Sequence, residues 1–168
     1  VSCAVNPCVG REAEITPAEV SKKVVVVGGG PAGLYAATLC AKKGHNVTLL
    51  EKGAELGGSF RIASFPTGKG QLSSAIRAMI VRCEKAGADI RLNTAADADT
   101  LKELHADAII LATGSTPLIL PIPGLNESGY VTAQDMLLGK AEVGKKALVV
   151  GGGMVGCEAA EYLAERGH

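Results

Sequence analysis

Two clusters of glycine carry the first sign of chemistry in this chain. Gly28, Gly30 and Gly33 fit G-x-G-x-x-G within VVVVGGGPAGLYAA, and Gly151, Gly153 and Gly156 repeat it within ALVVGGGMVGCEAA. Each cluster follows a β-branched apolar run and opens a helical pattern, the setting in which such a loop receives the pyrophosphate of a dinucleotide. The first glycine permits the tight turn, the second lets the pyrophosphate reach the backbone, and the third lets helix and strand pack closely. The amides of the first helical turn, with the helix dipole behind them, then face the phosphates. Glu51 lies 18 residues beyond Gly33, at the end of a second apolar run. A carboxylate there accepts hydrogen bonds from ribose hydroxyls and repels a 2′-phosphate. The plainer alternatives are a βαβ turn without a ligand and a solvated acid at a strand end.

The remaining reactive side chains are sparse. Cys3, Cys8, Cys40, Cys83 and Cys157 are odd in number and irregular in spacing, with no CxxC. That argues against a secreted disulfide scaffold and for a reducing, cytoplasmic setting. Cys40, Cys83 and Cys157 read as small apolar residues and Cys8 as structural. His45, His105 and His168 read as ordinary surface histidines, so no catalytic acid, base or nucleophile is expected within the chain.

These groups need an α/β framework to position them. Residues 24–27 read as a strand apolar on both faces, as a buried parallel sheet requires. Residues 31–43 read as a helix stopped by Gly44, and 47–50 as a second strand. An irregular crossing over 51–69 leads to a helix at 71–86, a short strand at 89–92, a weak helix at 100–105 and the apolar strand of DAIILATG. A proline-broken connection precedes a short helix at 133–138, and 146–150 reads as a strand before the second glycine loop. The expected domains are an extended connector (1–22), a Rossmann-like parallel-sheet domain (23–143) and the first strand and helix of a second Rossmann domain (144–168).

Composition narrows the class further. The 168 residues carry 17 basic and 17 acidic side chains, so nothing draws the chain to nucleic acid or an acidic membrane surface. Aromatic side chains make up 3% of the chain, too few for a base-stacking platform. No apolar run approaches the roughly 20 residues that span a bilayer, and no signal-peptide apolar stretch opens the chain.

VVVVGGGPAGLYAA, LLEKGAELGGSF and AIILATG together resemble the flavin-binding half of the two-dinucleotide-domain flavoprotein superfamily. The resemblance implies FAD at the first loop, with the Gly57–Gly58 doublet and the Ala112–Thr113–Gly114 turn beside it. Both offer backbone that can approach a nucleotide. SCAVNP ahead of this region and GGSFRIASFPTGKGQL within it are similar to the iron–sulfur flavoenzymes of the old yellow enzyme class. These include 2,4-dienoyl-CoA reductase, 2-enoate reductase and trimethylamine dehydrogenase. That likeness implies an FMN-binding barrel earlier in the same polypeptide and a 4Fe–4S cluster held by four cysteines. Cys3 matches the fourth of these, in its C-x-V-N-P context. By matching position the flavin contacts fall on Ala32, through its amide, and on Glu51, Ser59, Lys69 and Ala96, with Lys69 set to pair with a phosphate or nucleotide oxygen. Ser59 departs from the glutamine often found there, and trimethylamine dehydrogenase-like members hold ADP rather than FAD.

The same resemblance gives the second loop to NADH or NADPH, with Met154 and Val155 supplying amides to the pyrophosphate. The residue that separates the two cofactors is expected about 20 residues beyond Gly156, past His168. Residues 146–168 are expected to be mobile or to borrow contacts from the first domain. The implied activity is passage of hydride from NAD(P)H to FAD and of electrons through the cluster to FMN, which reduces an activated carbon–carbon double bond. This chain alone is expected to be inactive, and a homo-oligomer is left open. The competing classes are a pyridine nucleotide–disulfide or thioredoxin reductase-like flavoprotein and a non-catalytic ADP- or FAD-binding module. GGSFRIASF lacks the cysteine pair that glutathione reductase-like members place there.

Overall fold

The computed structural model describes Cys3 and residues 6–168. The chain divides into two compact units. One holds Leu72–Gly114 and the chain up to Arg61, and the other holds Ile62–Gln71 and Ser115–His168.

The first unit is built on β1 (Lys23–Val27), β2 (Asn46–Leu50), β3 (Asp89–Arg91) and β4 (Ala108–Leu111), all paired in parallel in the order β3-β2-β1-β4. The alternation within β1 divides its valines between two layers. Val24 and Val26 join Leu34 and Ala37 of α1 (Pro31–Lys42), Val47 and Leu49 of β2, and Cys83. Val25, Val27 and Leu50 point the other way and meet Ala96, Leu101, Leu104 and Ala106. Helices therefore cover both faces, which is why β1 carries no polar residue after Lys23. Burying one such leucine or valine contributes about 1.5–3 kcal/mol, and burial pushes the Cys83 thiol above its ordinary value.

The expected helix at 71–86 is α3 (Gly70–Lys85), and the weak one is α4 (Ala98–Glu103), started by Asp97, whose carboxylate accepts the Thr100 N–H at 2.8 Å. The crossing expected to be irregular holds a short helix, α2 (Gly58–Ile62), that begins on the second glycine of the doublet. The stretch ahead of β1 is not a simple extended connector either: Glu12–Glu14 form a 3-10 turn, while residues 1, 2, 4 and 5 lie outside those described.

In the second unit, α5 (Ala133–Leu137) packs on α6 (Met154–Ala164). The strand expected at 146–150 does not form. A strand needs a ladder partner for its amides and carbonyls. Among the described residues none pairs with this stretch, and Leu148 and Val150 are 90% and 64% exposed. Instead α6 takes contacts from residues earlier in the chain: Glu158 pairs with Lys69, and Glu165 accepts from the Thr67 hydroxyl. No helix among the described residues is long and apolar enough to cross a membrane.

Candidate nucleotide site

Strand order β3-β2-β1-β4 reverses direction of growth between β1 and β4. In open parallel sheets, ligands bind outside the carboxyl ends of the strands at such a switch point. The loop from Gly28 to Gly33 leaves β1 there, and Ala112–Thr113–Gly114 leave β4 beside it.

The three fingerprint glycines are needed for three different reasons. Gly28 has φ +108°, and a Cβ on it would lie 2.3 Å from the Ala112 carbonyl oxygen and 3.3 Å from Thr113 Cα. A Cβ on Gly33 would lie 1.8 Å from the Gly28 oxygen, so a side chain would pry the helix off the turn. A Cβ on Gly30 would meet nothing within 4 Å. Gly30 is the N-cap of α1, Pro31 follows it, and no side chain caps the helix. The amides of the first turn thus lack a side-chain acceptor, beside backbone open to an approaching phosphate. Ala32, second in the helix, is exposed there.

Glu51 turns toward this loop. Its Oε2 accepts the Gly29 N–H and its Oε1 the Gly53 N–H, each at 2.7 Å. Backbone bonds from Glu51 N–H to Arg91 O and from Thr94 N–H to Glu51 O, each 2.9 Å, fix the residue at the ends of β2 and β3. Each carboxylate oxygen keeps acceptor capacity beyond its one amide, which is what a ribose hydroxyl uses. The doublet closes the third side. Gly57 donates its N–H to Gly29 O at 2.8 Å, and a Cβ on Gly58 would come 3.2 Å from Gly30 Cα.

Gly28, Gly30, Ala32, Gly33, Glu51, Gly58, Ala112 and Thr113 therefore gather around one loop, with Gly114 ending the unit at φ +73°. Ser59 is exposed on α2, and Ala96 packs beneath Val25, Val27 and Leu50. Lys69 belongs with the second unit, where its ammonium is held by Glu158.

The second loop repeats the local geometry. Gly151 has φ +110°, a Cβ on Gly156 would lie 1.8 Å from the Gly151 oxygen, and Gly153 caps α6 at φ −78° and ψ −178° against −75° and −179° for Gly30. Met154 and Val155, at the start of α6, are 83% and 68% exposed.

Two participants were missed in the sequence. Gly29 donates to Glu51, and a Cβ on it would lie 2.4 Å from Leu56 Cδ2; the run of three glycines was the available signal. Glu158, two residues beyond the last glycine of the second loop, had no signal apart from its place near a helix start. Cys3 is exposed, and among the described residues no three His, Cys, Asp or Glu side chains come together in a metal-binding group. To a cluster held by four cysteines, Cys3 would bring one ligand.

Residues 22–168 match the family described as pyridine nucleotide-disulphide oxidoreductase. An NADH oxidase of Thermoanaerobacter brockii is 46% identical over 172 residues, covering 98% of this chain and 26% of the relative. A cinnamate reductase of Clostridium sporogenes is 43% identical over 169 residues, covering 99% of this chain and 25% of that one. The solved structure of a 2-naphthoyl-CoA reductase in complex with 2-naphthoyl-CoA aligns with a TM-score of 0.93 at 36% identity, over 99% of this chain and 26% of its own. The chain spans about a quarter of the length of these relatives.

Proposed function

From the premise that this chain belongs to the pyridine nucleotide-disulphide oxidoreductase family, with 2,4-dienoyl-CoA reductase-like flavoenzymes as relatives, we propose that it is the FAD- and NAD(P)H-binding portion of an enoate or dienoyl-CoA reductase-like enzyme. Bound FAD would supply the chemistry of hydride acceptance from NAD(P)H and one-electron release. The chain's own residues supply binding and orientation. Gly30 and the first-turn amides of α1 receive the pyrophosphate, Glu51 holds the adenosine ribose, and Gly58 with the backbone of Ala112 and Thr113 walls the loop. The second loop, through Gly151, Gly153, Gly156 and the amides of Met154 and Val155, receives the pyrophosphate of NAD(P)H. Residues 144–168 then belong to a second Rossmann domain.

The observation that carries this reading is the meeting of an uncapped helix start with the Glu51 carboxylate at the β1/β4 switch point. For the whole protein the proposal extends to an FMN-binding barrel earlier in the polypeptide and to a 4Fe–4S cluster with Cys3 as one ligand. To that cluster the described residues would bring one thiol.

Anaerobic titration of the full-length, flavin-loaded protein tests the reading. NADH or NADPH should bleach the flavin within the time of mixing, and Glu51→Gln should weaken FAD retention about tenfold, which corresponds to about 1.4 kcal/mol. A bound flavin that neither nicotinamide reduces would leave the non-catalytic nucleotide module as the better account. Equal FAD retention by the Gln variant would remove Glu51 from the site.

A further inference from the structure

The chain ahead of β1 encloses, with α1 and α3, a cavity of about 250 Å³. Leu34, Leu39 and Lys42 of α1, Met79 and Arg82 of α3, and Ile15 of the incoming chain are among its walls, all within the first unit. The incoming chain is held in place at both ends of this stretch. Cys8 Sγ shares a hydrogen bond with the Tyr35 hydroxyl, and Asn6 Oδ1 accepts the Cys8 N–H at 3.1 Å. Further on, Ala18 N–H donates to Lys43 O at 2.8 Å.

The polar side chains of the walls are committed, apart from two cations. Cys8 and Tyr35 hold each other, Thr38 donates its hydroxyl to Leu34 O at 2.6 Å, and Asn6 Nδ2 donates to the Glu12 carboxylate at 2.8 Å. Lys42 and Arg82 pair with no carboxylate among the described residues. Set against Glu12, these two cations leave a net positive charge around the cavity. The rest of the wall is hydrocarbon, to which the stems of Lys42 and Arg82 add. A cavity of about 150 Å³ already accepts benzene, so this one has room for a ring and a short acidic chain. The wall positions from Leu34 to Lys42 extend along about 12 Å of helix, enough to separate an apolar end from a charged one.

We propose that this cavity is a binding site for a small monocarboxylate with an apolar body, of arylalkanoate size. Its ring packs among Ile15, Leu34, Leu39 and Met79, and its carboxylate is held by Lys42 and Arg82. Such a ligand joins the chain ahead of β1 to both helices, so its binding stabilises that segment by mass action. The site uses neither a glycine loop nor Glu51 and does not rest on the nucleotide reading.

Calorimetric titration of the full-length, flavin-loaded protein with 3-phenylpropanoate and with uncharged 3-phenylpropanamide tests the site. The acid should bind saturably, about tenfold more tightly than the neutral compound, and should slow amide exchange across residues 6–15. Lys42→Ala and Arg82→Ala change exposed positions and leave the core untouched. Each should weaken the acid several-fold while binding of the neutral compound and flavin content stay the same. Equal binding of the two compounds overturns the carboxylate assignment. Tight binding that both variants leave intact, or exchange at 6–15 that does not slow, places the ligand elsewhere and overturns the site. Absence of binding at millimolar acid also overturns it, leaving the cavity to water or to another part of the polypeptide. A bound flavin that neither nicotinamide reduces would refute the proposed function and leave this result standing.

Discussion

The two glycine loops agree in every local measure and differ in everything that surrounds them. Turn angles of +108° and +110°, the same 1.8 Å from an added Cβ on the third glycine to the first glycine's oxygen, and matching N-cap geometry show that the glycine-loop–helix sequence alone writes this shape twice. Around Gly28, a Cβ would strike Ala112 at 2.3 Å, and around Gly29 it would strike Leu56 at 2.4 Å; at Gly151 and Gly152 it would meet nothing within 4 Å. The first loop has a sheet on both sides and a carboxylate beneath it, whereas the stretch before the second pairs with no described strand. A fingerprint therefore specifies a turn, and distant chain turns it into a site.

The largest expected contrast is in backbone protection. β1 lies at the centre of a ladder and its valines are buried, so its amides should open only with the unit as a whole. Residues 146–150 lack that ladder and should exchange about a thousandfold faster or more, the factor that several kcal/mol of stability imposes. Comparable protection in both stretches, measured by amide hydrogen exchange, would erase the distinction between the loops.

Alanine at the first glycine of each loop sharpens the same contrast. Both variants force a side chain into the left-handed region, at about 1–3 kcal/mol. Gly28→Ala alone also drives a methyl into the Ala112 carbonyl, adding about 1–3 kcal/mol of overpacking. Denaturant unfolding should therefore show Gly28→Ala as the costlier by that second amount. Equal losses would mean that β4 yields to the methyl at no cost.

What could be read in advance follows the same division. The valines of β1, the helical spacing from Leu34 to Ala37 and the glycine motifs encode neighbours a few residues away, and these elements formed where expected. The direction in which Glu51 points depends on Gly29 and Gly53 and on the seating of β2 against β3, which no window of sequence contains. The strand expected at 146–150 shows the limit from the other side, since β propensity gives extended chain but a ladder needs a partner. Tyr35 and Cys8 are 27 residues apart and belong to no shared pattern, so no sequence window shows their hydrogen bond.

Glu51→Gln carries a smaller effect. One of the two amides it now accepts, Gly29 or Gly53, loses its oxygen partner, costing about 1–3 kcal/mol. The melting temperature should fall for the first unit while α6, which has no carboxylate bound to its loop glycines, is unaffected. Loss of protection at α6 in this variant would show that the two loops are not independent.

The smallest effect separates the units by pH. Asp97 caps α4, and the Thr100 backbone N–H bond, with that residue's side chain second, holds its carboxyl below the ordinary value. A folded value below the unfolded one of about 3.9 means that the folded unit binds fewer protons near that pH. The stabilisation is then complete above the unfolded value and drains away as pH falls through the folded one. Leu101 and Leu104 of this region cover Val25, Val27 and Leu50, and the chain runs on from there into β4, the strand that shelters Gly28. Acid should thus loosen the first loop's surroundings through Asp97, whereas no side chain caps the start of α6. In Asp97→Ala the acid-unfolding curve should lie below the unmutated one at neutral pH and merge with it as pH drops below 4. A gap that stays constant through this range would mean that the cap acts by its shape rather than its charge.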